Sequence, residues 1–498
     1  MTTIKITNET DKSINNKVFY NDIIHIDDEN NITIVNTNRN TFLIGGVLKL
    51  TSNTHYKNAK THKLMYEFVP INWRYPKFLV PSEIKNNLIK KHEQITDYFV
   101  VITYNHWNEK FPFGTIHKCI GSISNIINKY EVLLYYYPEK PYTYEKQIIS
   151  DEIKLIDYNI SDVTYIYSID PLGCKDIDDA LSFDNVNNKI GIHIADVNYT
   201  IDKLNINYNK YSTIYAPHKT INMLPDELAY NSCSLLAGYI RPVISCWIEI
   251  ETGKYTFKRE FIRVSKNYCY EEVSHDLIKS NNAINEIYEF SKIINNKYNY
   301  VESIKSSHEM VEVYMIFLNN KIATILQNDS IIFRNQEPCE FAKYSYDNKG
   351  HDHMKLTHYT HFTSPIRRIV DQYIHQVLIA KLFDPNAKIT KPDVDKINIF
   401  EVELKKVNLL WNYLKVSNDI TNGEPSLLKF IKFNKDYLEF KSLEYNIVIS
   451  NKLLFTIINN TTICINDKNY KINTTYNLPL YVIDNTKNQY FPKIIVKF

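Results

Sequence analysis

The sequence predicts a multidomain chain of the α+β or α/β kind, with a central mixed α/β body flanked by small antiparallel β-barrels. Three observations lead there. The chain has 498 residues, 44% hydrophobic and 13% aromatic, which is enough for several cores and too long for one domain. Residues 1 to about 150 and 426 to 498 break into short alternating runs between turn signals, the pattern of half-buried strands. From about 160 to 420, runs of period two are interspersed with runs of helical period.

Taken in order, strands are predicted at Ile32–Val35, Phe42–Leu50, Tyr98–Tyr104 and the run Glu131-Val-Leu-Leu-Tyr-Tyr-Tyr. They suit small barrels of the oligonucleotide-binding type: a partial one over 1–55, too short to be whole, and a second over 56–150. The body, 151–422, has predicted strands at 163–169, 189–196 and 242–250. Its helices are predicted at 309–327 (Met310, Tyr314, Leu318, Ile322, Ile325) and 366–380 (Ile366, Val370, Tyr373, Val377, Ala380). The Asn-rich stretch 284–300 need not be a linker, because Asn, Ile and Lys are abundant throughout and recur inside periodic segments. Residues 423–498 return to short alternating runs and read as one more barrel.

A formal charge of +2 excludes a uniformly basic surface, so a nucleic-acid ligand would need a local groove of positive potential. Seven cysteines without a C-x-x-C pair fit reduced thiols and argue against a cysteine zinc site. No signal core follows Met1, and no run approaches the roughly 18 apolar residues of a membrane span. An intracellular, cytoplasmic protein with no membrane partner is expected.

The motif richest in chemistry is Ser168-Ile-Asp-Pro-Leu-Gly-Cys-Lys-Asp-Ile-Asp-Asp-Ala180, with Asp170, Asp176, Asp178 and Asp179 around a Pro-Gly turn. A strand should deliver Asp170 to its end, where Pro171 and Gly173 turn the chain. Crowded carboxylates repel one another, so a cluster kept ionised implies divalent cations, and oxygen-only ligands suit Mg²⁺ or Mn²⁺ better than zinc. The competing reading is a solvated acidic turn with one Asp capping a helix. A calcium loop fits worse, since its Gly and terminal Glu are missing.

The second motif is His358-Tyr-Thr-His-Phe-Thr-Ser-Pro-Ile-Arg-Arg-Ile-Val-Asp371. Ser364 is predicted to cap a helix whose first residue is Pro365, which would aim free backbone N–H groups and Arg367 at one anion. Arg368 fits an ordinary pair with Asp371 one turn on. His351, His353, His358 and His361 lack the company expected of zinc ligands and read as a mobile loop leading into that helix. Tyr215 and Tyr270 are candidates for base stacking, although in a chain with 39 tyrosines the default for each is core packing.

Read in order, these segments resemble the RNB exoribonucleases, the ribonuclease II and ribonuclease R superfamily. The matching blocks are Asp170–Ala180, Ile192-His-Ile-Ala-Asp-Val197, Met223-Leu-Pro-Asp-Glu-Leu228, Cys233-Ser-Leu235, Val311-Glu-Val-Tyr-Met315 and Tyr359–Arg368. The Gly-Cys-Lys-Asp-Ile-Asp-Asp-Ala-Leu form, with Phe68–Lys77 and Phe111-Pro-Phe-Gly114 upstream, is similar to the eukaryotic exosome's catalytic subunit and its second cold-shock barrel.

The resemblance implies a Mg²⁺-dependent, processive 3′→5′ exoribonuclease that releases 5′-mononucleotides from single-stranded RNA. It implies two ions, with Mn²⁺ as a substitute, on Asp170, Asp176, Asp178 and Asp179, with Asp178 the most critical to catalysis. Arg367 would stabilise the phosphate, Tyr215 and Tyr270 would contact the RNA, Arg368 becomes a further RNA contact, and Glu312 becomes an RNA contact or a group supporting one, with an ordinary helix-face carboxylate as its equal alternative. Where the family usually has Tyr-Ala-Asp and Val-His-Arg, this chain has Ile369-Val-Asp371 and Ile374-His-Gln376, and Glu401–Asn422 matches poorly. No endonuclease domain precedes the barrels, so a monomer that neither cuts internally nor docks on the exosome is expected. The alternative is an RNB-fold protein that binds RNA with little or no turnover.

Overall fold

The computed structural model describes residues 2–5, 17–19, 22–27, 32–36, 39–52, 56–57, 64–108, 110–136, 161–163, 165–204, 210–273, 275–434, 437–452, 455–483 and 491–498. The chain divides into two compact units. One comprises Met1–Pro141, Ala216–Lys219 and Glu403–Phe498; the other comprises Tyr142–Tyr215 and Thr220–Val402. Among the described residues no helix is long and apolar enough to cross a membrane. The expected domain boundary at 150/151 lies outside the described residues.

In the first unit, strands Leu43–Leu48, Tyr98–His106, Phe113–Ser122, Phe78–Pro81 and Leu64–Pro70 pair in that order, and the last pairs back onto the first. The ring is closed, which removes the unpaired edges of an open sheet. Gly46 is needed for closure: a Cβ there would lie 2.4 Å from Phe68 Cζ and 2.5 Å from the Val69 carbonyl. The core holds Phe42, Ile44, Leu48, Phe68, Phe78, Val100 and Ile102. The strand at 43–48, expected in a partial first barrel, therefore belongs to the second. Ahead of it the described residues form a three-stranded sheet of Thr2–Lys5, Ile23–Ile26 and Ile32–Asn36.

The expected strand at Glu131–Tyr137 is instead the end of a helix, Ile126–Leu133; Tyr137 itself lies outside the described residues. Asn125 caps that helix by accepting from Ile127 N at 2.8 Å, and Val132 and Leu133 are buried. Glu131 is buried too. Against the upward push of burial, hydrogen bonds from Lys118, Lys219 and His218 hold its carboxyl down at about 2. Burial and these partners outweigh the β-propensity of the aromatic run. At the other end of the chain a five-stranded sheet (Pro425–Phe433, Tyr437–Ser442, Val448–Lys452, Thr475–Ile483, Lys493–Val496) and a three-stranded one share a core of Phe430, Phe440, Ile463, Ile465 and Leu480.

The second unit is built on a six-stranded sheet in the order Tyr255–Arg263, Ile240–Glu249, Lys189–Ala195, Asp179–Asp184, Ile166–Asp170, Lys266–Cys269. All pairs are antiparallel except the last, which runs parallel. Helices Asn282–Tyr298 and Ser307–Ile325 contribute Ile284, Ile287, Met310, Tyr314 and Phe317 to the core over this sheet. The first takes in the Asn-rich stretch, capped by Asn281; the second opens on a capping box of Ser306 and Glu309.

One buried residue gives this unit a pH signature. His193 is fully buried, with ring nitrogens 2.8 Å from Ser182 Oγ and 2.8 Å from Ser245 Oγ, and burial pushes its pKa down to about 3. The unfolded chain takes up that proton near pH 6.5 while the folded chain does not, so this contribution is present above about pH 6.5 and is lost as pH falls. Between about pH 6.5 and 5 it amounts to roughly 2 kcal/mol. Chemical denaturation at both pH values should show His193→Gln losing less stability on acidification than the wild type by about that amount; parallel pH dependences would contradict the assignment.

Candidate active site

The strand Ile166–Asp170 ends where the sequence requires it to. Cys174 N donates to Pro171 O at 3.0 Å across the turn, and Gly173 has φ +80°, the left-handed value that the third residue of a type II turn needs. Asp176–Asp178 then run in irregular, non-helical backbone before the strand Asp179–Asp184, so none of these acids caps a helix. Ser234, fully buried, fixes this stretch: its Oγ donates to Lys175 O (2.8 Å) and accepts from Ile177 N (3.1 Å), while Leu235 N donates to Ile177 O (3.0 Å).

The four acids converge on a cavity of about 1050 Å³, lined also by Tyr215, Tyr270, His308, Glu312, His361, Ser364, Arg367 and Arg368. Asp178 is 4% exposed. Its Oδ1 accepts from Ile366 N at 2.8 Å, and its Oδ2 lies 3.3 Å from Arg367 Nε. Asp176 accepts from the Tyr215 hydroxyl. Burial, and then the charge of Asp176, push the phenol pKa up, so it remains an O–H donor.

Burial also raises the acids themselves. It lifts Asp170 to about 6, with the charge of Asp176 adding to the shift, and Asp178 to about 7 against the pull of Arg367 and the Ile366 amide. Asp179 rises well above the carboxylate range through burial and the charges of Asp170 and Asp178.

Oxygen-only donors suit Mg²⁺ or Mn²⁺. The Oδ2 of Asp170 is buried with no hydrogen-bond partner, an atom that a cation would satisfy. Among the described residues no three acids already close on a common point, since Asp176 and Asp178 give oxygens to Tyr215 and Arg367. The donor chemistry fits a divalent ion.

The predicted helix cap at Ser364 is corrected. Residues 365–367 form a turn, Arg368 is extended (φ −137°, ψ 127°), and the helix begins at Ile369. Ser364 Oγ accepts from Arg367 Nη2 at 2.9 Å rather than capping, and the Ile366 amide is taken by Asp178. Arg367, with its side chain 42% exposed, remains the cation facing the cavity. Arg368 lines the cavity, but its Nη2 is held 2.8 Å from the buried Asp371. Asp371 also accepts from Ser364 N at 2.7 Å, and His375 Nε2 meets Phe362 O at 2.8 Å, so two residues of the divergent helix segment pin the turn. Gln376 bonds to Asn198 and Thr390, a packing role.

Glu312 is exposed on the cavity wall, and Tyr215 is 49% exposed. The histidine loop is anchored at His351, which is buried and exchanges backbone hydrogen bonds with Leu356. No zinc cluster forms there among the described residues. Sequence reading missed His308, and took for a loop residue the His361 that lines the cavity. His308 stacks on Tyr270, and His361 Nδ1 lies 2.6 Å from the Tyr344 hydroxyl.

The family model of the RNB domain matches residues 159–340 and 337–384, and that of the Dis3-like cold-shock domain 2 matches 65–137. Ribonuclease R of Chlamydia muridarum is 24% identical over 452 residues, 69% of this chain and 63% of the relative. Ribonuclease R of Chlamydia pneumoniae is 26% identical over 315 residues, 43% of this chain and 46% of the relative. Exosome complex exonuclease RRP44 of Homo sapiens is 26% identical over 235 residues, 43% of this chain and 23% of the relative. The chain thus spans about half to two thirds of the bacterial relatives and about a quarter of the human one.

Among solved structures, Mycoplasma genitalium RNase R in complex with ribose-methylated single-stranded RNA superposes with TM-score 0.73 at 17% identity, covering 96% of this chain and 95% of that one. Yeast Ssd1, described as a pseudonuclease, superposes with TM-score 0.59 at 14% identity over 84% of this chain and 66% of its own. At these identities the likeness is one of fold.

Proposed function

This chain is a member of the RNB family, carrying an RNB domain behind a Dis3-like cold-shock barrel, and from that premise we propose that it hydrolyses single-stranded RNA processively from the 3′ end to 5′-mononucleotides. The observation that carries the reading is that Asp170, Asp176, Asp178 and Asp179 line one cavity together with Arg367. These acids would hold two Mg²⁺ ions, with Mn²⁺ able to substitute. When bound, the ions supply an acidified water and neutralise charge at the scissile phosphate.

The protein's own groups do the rest. The guanidinium of Arg367, oriented by Asp178 and Ser364, offers N–H donors to the phosphate as its charge develops. Tyr215, held at its hydroxyl by Asp176, presents its ring to a base, a contact that tolerates any sequence. Glu312, which lines the cavity, would accept a hydrogen bond from a ribose 2′-OH, which DNA lacks. Arg368 serves the turn more than the strand.

The fold shared with a pseudonuclease supports a second reading, RNA binding without turnover. A metal test separates the two. On the first reading, EDTA abolishes mononucleotide release and excess Mg²⁺ or Mn²⁺ restores it, while matched DNA is degraded poorly. Salt-sensitive RNA binding with no product under any metal favours the second.

A further inference from the structure

We propose that His308 and Tyr270 form a two-ring platform on which one nucleobase of the substrate strand lies, with the imidazole supplying the outer face. The inference rests on the RNA-degrading reading above and adds a residue to it.

The two rings are 3.7 Å apart between centroids and 18° from parallel, so one imidazole face is fully covered by the phenol. His308 is nevertheless exposed, and it lines the same cavity as the acids. The pair is built rather than incidental. Ser307 Oγ donates to Tyr270 O at 3.0 Å, and the Ser306–Glu309 capping box fixes the first turn that carries His308. Tyr270 N in turn donates to Asp170 O at 3.0 Å, which sets the platform beside the end of the acidic strand.

A flat ring already stacked on one side and open on the other is ordered before a ligand arrives, so a base can add to the stack with little further ordering of the side chains. Tyr270 alone would be a half-buried phenol; with His308 on top, the stacking surface moves outward into the cavity.

The test is binding of single-stranded RNA by the full chain carrying Asp178→Asn, in Mg²⁺, so that the strand survives. Adding His308→Ala should weaken binding about five- to a hundredfold, whereas His308→Phe should stay within about twofold. A series of oligomers, each lacking the base at one position near the 3′ end, locates the contact: at one position the missing base should cancel the His308→Ala effect. The proposal is overturned if His308→Phe binds as weakly as His308→Ala, or if the loss is the same for every oligomer. Mononucleotide release by the otherwise wild-type chain reports separately on the underlying reading, and absence of both release and RNA binding ends both.

Discussion

Asp178→Asn should lower mononucleotide release by about three orders of magnitude while leaving the fold and RNA binding in place. The substitution is nearly isosteric. Its side-chain carbonyl can still accept from the Ile366 amide, which Asp178 now does at 2.8 Å, so the 365–367 turn keeps its anchor. What is lost is the charge that orients Arg367 and would neutralise a bound cation. Asp178 is 4% exposed and burial disfavours its ionised form, so removing the charge costs the fold little beyond the contact with Arg367 Nε, which an amide N–H cannot accept. Release rate, thermal unfolding and RNA affinity measured together separate the roles. A variant that still turns over within about tenfold of the wild type would remove Asp178 from the chemistry.

Asp371→Ala should destabilise the protein by about 3–5 kcal/mol. Asp371 has no exposed surface and one of its oxygens serves two donors, Ser364 N at 2.7 Å and Arg368 Nη2 at 2.8 Å. Truncation leaves a guanidinium only 20% exposed without its partner, and a buried amide unpaired. Asp371→Asn, which retains an acceptor but no charge, should fall between the two. Urea unfolding checks the order, and a loss below about 1 kcal/mol for the alanine variant would show that the turn holds without its anchor.

These two residues illustrate what the sequence could and could not disclose. The acidic motif was legible because its geometry is local: Pro171 and Gly173 make the turn, and four acids within ten residues have nowhere else to go. The bonds that give each acid its role are not local. Tyr215 reaches Asp176 across 39 residues and Ile366 reaches Asp178 across 188, distances over which no spacing rule operates. The same long-range contact explains the misplaced helix start. Ser364-Pro365 is a sound capping signal, but Asp178 takes the amide that a helix N-terminus would have left free.

Glu131–Leu133 failed for a related reason. Val-Leu-Leu-Tyr-Tyr-Tyr has strand propensity, and the signal for the helix was the Asn125 cap a turn and a half upstream. His308 was hidden because a single histidine at the start of a helix carries no pattern; only the fold sets its ring against Tyr270. Periodicity did locate the Glu312 helix and the strands beneath it, where one continuous core fixes the register.

The most direct test of the central claim is the fate of a single-stranded RNA labelled at its 5′ end and incubated with the wild-type chain in Mg²⁺. The account predicts a labelled strand that shortens from the 3′ end while nucleoside 5′-monophosphates accumulate, with neither change in Asp178→Asn. Full-length RNA after prolonged incubation, or internal fragments in place of mononucleotides, would contradict it.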